Sequence, residues 1–173
     1  MKGIAMSIAA MEKNVVDARG GKYLTFALGA EEYGLEILKV REIIGFMEIT
    51  AVPHTPVHVH GVINLRGQVI SVVDLRARFG LPARERTEQT CIIVVQISVE
   101  GRKISMGIIV DRVSEVLNIV GQNIEDAPSF GVNIDTSFIL GLGKIGSNVK
   151  ILLDIDKVLT LTDAMCAGGT VAT

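Results

Sequence analysis

The chain carries only two cysteines, Cys91 and Cys166, with no C-x-x-C pair. A disulfide framework is therefore excluded, and a reducing cytoplasm fits best. Concentrated positive charge is equally scarce. Lysine and arginine total 17 against 19 acidic residues, a net charge of −2, with no basic run. A nucleic-acid binder needs a cationic face to displace counterions. The nearest approach, Arg84 and Arg86, is interleaved with Glu85 and Glu88, so no nucleic-acid partner is expected. No apolar run reaches the roughly 18 residues that a spanning helix needs, so no membrane insertion is expected either. The stretch from Ile4 to Met11 faintly resembles a signal peptide, but it is short and meets Glu12-Lys13-Asn14 without a good cleavage pattern. Residues 1–20 and 163–173 read as flexible tails.

What is present is a globular balance, 49% hydrophobic and 21% charged, in 173 residues. That length suits one domain, or two small lobes sharing a core. Short strand-like runs dominate. Lys22 to Leu28, a hairpin signal at Gly29-Ala30-Glu31-Glu32, and Tyr33 to Leu38 form a first strand pair. Val40 to Ile44 reads as either a helical turn or a strand. Pro53 and Pro56 force extended backbone before them. Val62 to Leu65, a tight turn at Arg66-Gly67-Gln68, and Val69 to Leu75 form a second pair, with a short helix to Phe79 stopped by Gly80 and Pro82. Polar residues 82–89 link two halves. Strands follow over Cys91 to Val99 and Lys103 to Val110 around Glu100-Gly101-Arg102. The last pair is Phe138 to Leu142 and Val149 to Ile155 around a Gly-rich turn, closed by a short helix over Asp156 to Thr162.

The halves resemble each other. Gly34 to Ile44 lies over Gly107 to Leu117 at a constant offset of 73 residues. Val73-Asp74-Leu75 lies over Leu153-Asp154-Ile155 at an offset of 80. Two matches in the same order indicate internal duplication. Each half alone is marginal in size, so the two are expected to share apolar surface.

Candidate chemistry is thin. Gly141-Leu142-Gly143-Lys144-Ile145-Gly146 fits G-x-G-x-x-G, but a β-pattern follows it where a dinucleotide site needs a helix. It reads as a hairpin. His54, His58 and His60 lie close in sequence, yet no acid or cysteine nearby completes a metal set. The acids Glu42, Asp74, Asp111, Glu115 and Asp154 mostly recur in both halves, as repeated turns or caps would. No serine sits in G-x-S-x-G, and no nucleophile has a base beside it. Catalytic residues, metal and cofactor are all expected to be absent. Arg66, at a tight turn, either points to water or pairs with a carboxylate as a fixed, partly buried guanidinium.

Glu31 to Ile43 strongly resembles the first hairpin of the CheW family, the coupling proteins of bacterial chemotaxis. So do Gly61 to Gly67, Val72 to Arg76, Gly107 to Asp111 and Leu140 to Gly143, and the likeness covers about residues 22–162. With no receiver-like or kinase-like segment attached, the pattern looks like the stand-alone adaptor. The resemblance implies a mainly β fold: two SH3-like five-stranded barrel lobes with a few short helices. Lobe one would span about 21–85 and lobe two about 88–162. It implies an adaptor without catalysis, bridging the cytoplasmic tips of methyl-accepting chemoreceptors to the regulatory domain of the histidine kinase CheA, in the cytoplasm beneath the membrane and in higher-order rings. It puts Val40, Glu42, Ile43, Gly61, Arg66, Cys91 and Val116 at or near a receptor-binding groove, with Glu42 paired to Arg66. Kinase contact is implied near His60 and Val69, and a second contact near Glu125 and Phe130. The alternatives are a CheW-like scaffold of a non-chemotactic two-component pathway and a metal- or small-molecule-binding module.

Overall fold

The computed structural model describes residues 18–127, 137–160 and 163–164. Its strands are β1 Gly21–Leu28, β2 Glu31–Glu36, β3 Val40–Gly45, β4 Val59–Leu65, β5 Gln68–Asp74, β6 Cys91–Val99, β7 Arg102–Val110, β8 Arg112–Ile119, β9 Ile124–Glu125, β10 Ile139–Ile145 and β11 Asn148–Leu153. Two single-turn helices, α1 Leu75–Arg78 and α2 Ile155–Val158, follow β5 and β11.

The strands form two sheets, β3-β6-β7-β5-β4 and β8-β1-β2-β11-β10-β9. Each sheet takes one hairpin from each sequence half. The joins are parallel: β5 on β7, with Val72 opposite Gly107, and β11 on β2, with Leu152 opposite Gly34. These joins obey the two offsets read from the sequence, 73 for the glycines and 80 for their partners. The division between residues 85 and 88 therefore falls between β5 and β6, which lie in the same sheet. Both sheets close. Chain leaving β3 returns at Thr50 to bridge Val62 of β4, the opposite edge strand. Chain leaving β8 becomes β9, which pairs with β10. Two barrel-like layers result, each of five strands plus a short closing segment.

This topology explains why most of β1 and β6 is buried on consecutive residues, Tyr23 to Leu28 and Ile92 to Val95. A strand buried on both faces loses the alternation of a half-exposed one. Ile93, Val95 and Ile97 of β6 face a core shared with Leu24, Phe26 and Leu28 of β1, while Ile92 and Val94 face the interior of their own barrel with Ile63, Ile70 and Val72. Tyr23 turns from β1 into the second barrel with Ile119, Ile124 and Leu152. Phe26, Tyr33, Phe79 and Phe138 stack in sequence beside the shared core, at centroid spacings of 5.8, 5.8 and 6.3 Å.

Several boundaries differ from the sequence reading. The first turn is only Gly29-Ala30, so β2 begins at Glu31 and ends at Glu36. Leu38 lies in a single 3-10 turn, Ile37–Lys39, and is exposed. The ambiguous Val40 segment is a strand. Of the G-x-G-x-x-G residues, all but Gly146 lie in β10, because the turn is Gly146-Ser147. The closing helix starts at Ile155 and stops at Val158. Neither assigned tail is free along its whole length. Arg19 donates to Asp126 at 2.8 Å and to the Leu140 carbonyl at 3.1 Å. Asp163 and Ala164 are buried, and Asp163 Oδ1 lies 2.7 Å from His58 Nε2. Cys166 lies outside the described residues.

Candidate functional site

The edge strands β3 and β8 are equivalents, and each carries a bulge at the same place. The register of β3 on β6 shifts between Val40 and Glu42, and that of β8 on β1 shifts opposite Leu24 and Phe26. A bulge re-aims the residues beside it. On β8 the loosened backbone is satisfied by buried Thr25, whose hydroxyl donates to the Glu115 carbonyl at 2.8 Å and accepts from the Glu115 N–H at 3.1 Å. Just beyond the bulges, Ile43 is 45% exposed and Val116 49%. A seam joins the two edges. Cys91 lies opposite Gly45 at the end of β3, and the Val113 backbone of β8 lies beside its sulfur. Val40, Cys91 and Val113 are all half-buried on the shared core. Burial pushes the Cys91 thiol up, so it stays protonated and acts as a packing residue rather than a nucleophile.

Glu42 and Arg66 form a two-pronged ion pair at 2.9 and 3.0 Å. Of the two sequence readings, water-facing or paired and partly buried, the structure combines parts of both, because the guanidinium is paired and exposed. Its side chain is 70% exposed, against 29% for Glu42, because Arg66 occupies the two-residue turn at the tip of the β4–β5 hairpin. Arg66 and Gly67 both have positive φ, 52° and 87°, and the Asn64 side chain accepts from Gly67 N–H at 2.9 Å. Such primed turns match the twist of a hairpin. The pair thus ties the hairpin tip to β3 across the side where the first barrel closes.

Gly61 has a structural reason to be glycine. A Cβ there would stand 2.1 Å from the Thr50 carbonyl oxygen, in the bridge that closes the barrel. Its equivalent is Gly141, where a Cβ would meet Ile124 of β9 at 2.6 Å. The first glycine of the G-x-G-x-x-G run therefore serves barrel closure.

His60 is exposed on β4 and stands edge-on to Phe46, centroids 6.5 Å apart. Val69 is exposed on β5, next to the Arg66 turn. Glu125 lies on β9 and pairs with Lys144 at 2.7 Å. Phe130 lies outside the described residues. An open cleft of about 1080 Å³ beside His60 is lined by Phe46, Arg76, Arg84 and Arg86 among others. Its cations are already engaged: Arg76 and Arg84 on Asp111, Arg86 on the Phe46 ring at 4.1 Å.

Three of the acids considered for catalysis have other duties, Glu42 in the pair with Arg66 and the other two in a cap and a second ion pair. Asp74 caps α1 by accepting from Arg76 N–H at 3.0 Å, whereas Asp154 makes no side-chain cap bond. The Arg76 guanidinium, at 2.8 and 2.7 Å, holds the Asp111 carboxyl below the usual aspartate range. Among the described residues no three metal-ligating side chains converge. His58 meets an acid, Asp163, that lies 105 residues away in sequence. Adjacency in the chain could not reveal that contact, nor the Thr25 clip on Glu115.

A CheW-like domain matches residues 22–163. The chain is 39% identical over 153 residues to the chemotaxis protein CheW of Klebsiella aerogenes, covering 88% of this chain and 90% of that one. It is 38% identical to the chemotaxis protein CheW of Bacillus subtilis, covering 84% and 85%. The crystal structure of the scaffolding protein TtCheW from Thermoanaerobacter tengcongensis superposes with a TM-score of 0.72 at 37% identity, covering 82% of this chain and 94% of that one.

Proposed function

The chain belongs to the CheW-like family, and on that premise we propose that it is a non-enzymatic chemotaxis adaptor that holds chemoreceptor tips and the regulatory domain of the kinase CheA in one complex. One observation carries the reading: the family match spans nearly all of a doubly closed β body, with Ile43 and Val116 exposed on its edge strands and Val69 exposed on a hairpin. Closed barrels leave few free strand edges, so partners dock on side chains rather than by extending a sheet.

The seam formed by Val40, Ile43, Cys91 and Val116 takes the receptor helix, with Glu42 and Arg66 shaping one wall and Gly61 behind it. An amphipathic helix laid on an apolar strip is a standard recognition mode, and a typical interface removes ~800 Å² per partner. Val69, near the tip of the β4–β5 hairpin, and His60, at its far end, take the kinase. Glu125 and the segment around Phe130 supply a second contact for ring formation. Signalling is then controlled by geometry, since this chain adds no chemistry. The protein works in the cytoplasm beneath the membrane. No helix among the described residues is long and apolar enough to cross a bilayer, so receptors provide the attachment.

Calorimetric titration with the regulatory domain of the organism's CheA tests the kinase half of this reading. One-to-one binding that weakens at least tenfold on Val69→Asp is expected. Equal binding by the variant would remove Val69 from the interface, and no binding by the wild type would remove the pathway assignment.

A further inference from the structure

The seam's two walls are copies of one another, yet they differ in charge. Glu42 and Glu115 are equivalent residues at the same 73-residue offset, each placed by a bulge, each followed by an exposed apolar residue, Ile43 or Val116. On the first wall Arg66 neutralises Glu42 through two hydrogen bonds. The equivalent of Arg66 is Gly146, with nearly the same left-handed φ, 59° against 52°. The second wall therefore lacks the arginine. Among the described residues nothing donates to the Glu115 carboxylate, although its backbone N–H and carbonyl are both held by Thr25. The bulge is thus fixed while the acid it presents is exposed and uncompensated.

A two-fold apolar seam by itself would accept a helix in either direction with similar energy. Charge is what can break that tie, because attraction on one wall and indifference on the other make the two directions unequal. We infer that Glu115 is a specificity-determining contact that receives a lysine or arginine of the docked helix, so that the seam binds that helix in one direction only. The inference rests on the receptor-groove reading above. It commits the partner to an amphipathic helix with a basic side chain flanking its apolar face on the side toward β8. Two features of the chain make the site usable. Among the described residues the Glu115 side chain has no structural partner, and the Thr25 clip holds its backbone so that little ordering is needed on binding.

The test titrates a chemoreceptor tip fragment into the full chain at low and high salt, with four variants. Glu115→Gln is expected to weaken binding by about two- to fivefold, the range of an exposed ion pair, and to flatten the salt dependence. Glu115→Lys is expected to weaken it further. Gly146→Arg rebuilds the first wall's pairing on the second and is expected to mimic Glu115→Gln. A photo-cross-linker at position 43 should reach one end of the helix in the wild type and both ends in Gly146→Arg. Ile43→Ser is the control for the seam itself. If Glu115→Gln, Glu115→Lys and Gly146→Arg bind like wild type while Ile43→Ser loses binding, the seam stands and the charge assignment is overturned. If Ile43→Ser also binds normally, the helix does not lie in this seam and the inference falls with it.

Discussion

Arg66 is held in left-handed backbone, where an L side chain other than glycine is disfavoured, at the position where the second half carries Gly146. A residue kept against its own backbone preference points to use rather than to stability. The account predicts that Arg66→Gly leaves the melting temperature unchanged or raised while receptor affinity falls. Thermal melts beside titrations check this, and a large fall in melting temperature would show that the pair supports the fold. Asp111 makes the opposite case. It accepts from Arg76 twice, from Gly29 N–H at 2.7 Å and from Arg84 at 3.4 Å, so it knots the linker and two turns together. Asp111→Asn should cost about 1–2 kcal/mol at neutral pH, below the penalty for breaking a fully buried pair because the carboxylate is partly wet. Its carboxyl titrates below the unfolded value of roughly 3.9, so its contribution is present above that pH and is lost as pH falls through the lower folded value. Urea unfolding at neutral pH and near pH 3 should show the gap between wild type and Asp111→Asn closing in acid. A constant gap would mean that charge is not the cause. The sequence showed that Arg66 sits at a tight turn and offered a carboxylate as its partner. It could not show exposure, which depends on how far the hairpin tip stands beyond its neighbours.

The closing bridges are the element-scale feature on which each barrel depends. Gly61 and Gly141 are the points where a side chain would strike the closing segment, at 2.1 Å against the Thr50 carbonyl oxygen in the first case. Backbone cannot move aside as a flexible side chain can, so Gly61→Ala should destabilise by about 3 kcal/mol, at the upper end of ordinary overpacking. Gly45→Ala, on exposed β3 with nothing within 4 Å of the added carbon, should fall within about 0.5 kcal/mol of wild type. Chemical denaturation of both variants checks this, and equal losses would contradict the closure argument. Most hairpins were legible because alternation and turn residues are local signals. The β3 segment stayed ambiguous because its bulge breaks the two-residue period. The glycines of β10 read as a turn because a strand that must pass close to another backbone uses the same residue type as a turn does.

At the scale of the whole molecule, the duplication visible at offsets of 73 and 80 is the two-fold relation of the folded chain. It recurs in the parallel joins, and in paired 2.8 Å hydrogen bonds from Asp74 N–H to the His58 carbonyl and from Asp154 N–H to the Phe138 carbonyl. The exchange of hairpins between sheets was not legible. The sequence gives each hairpin its apolar faces, but the choice of neighbour is made by long-range parallel pairing and by the shared core. That exchange interleaves the two sequence halves in both sheets, so the two docking surfaces proposed above share one β body. Co-elution of a receptor tip fragment with the CheA regulatory domain, in the presence and absence of this chain, tests whether the protein bridges the two. The account predicts a three-part complex that needs the chain, loses only the kinase with Val69→Asp, and loses only the receptor with Ile43→Asp. Mutually exclusive binding, in which one partner displaces the other, would contradict it.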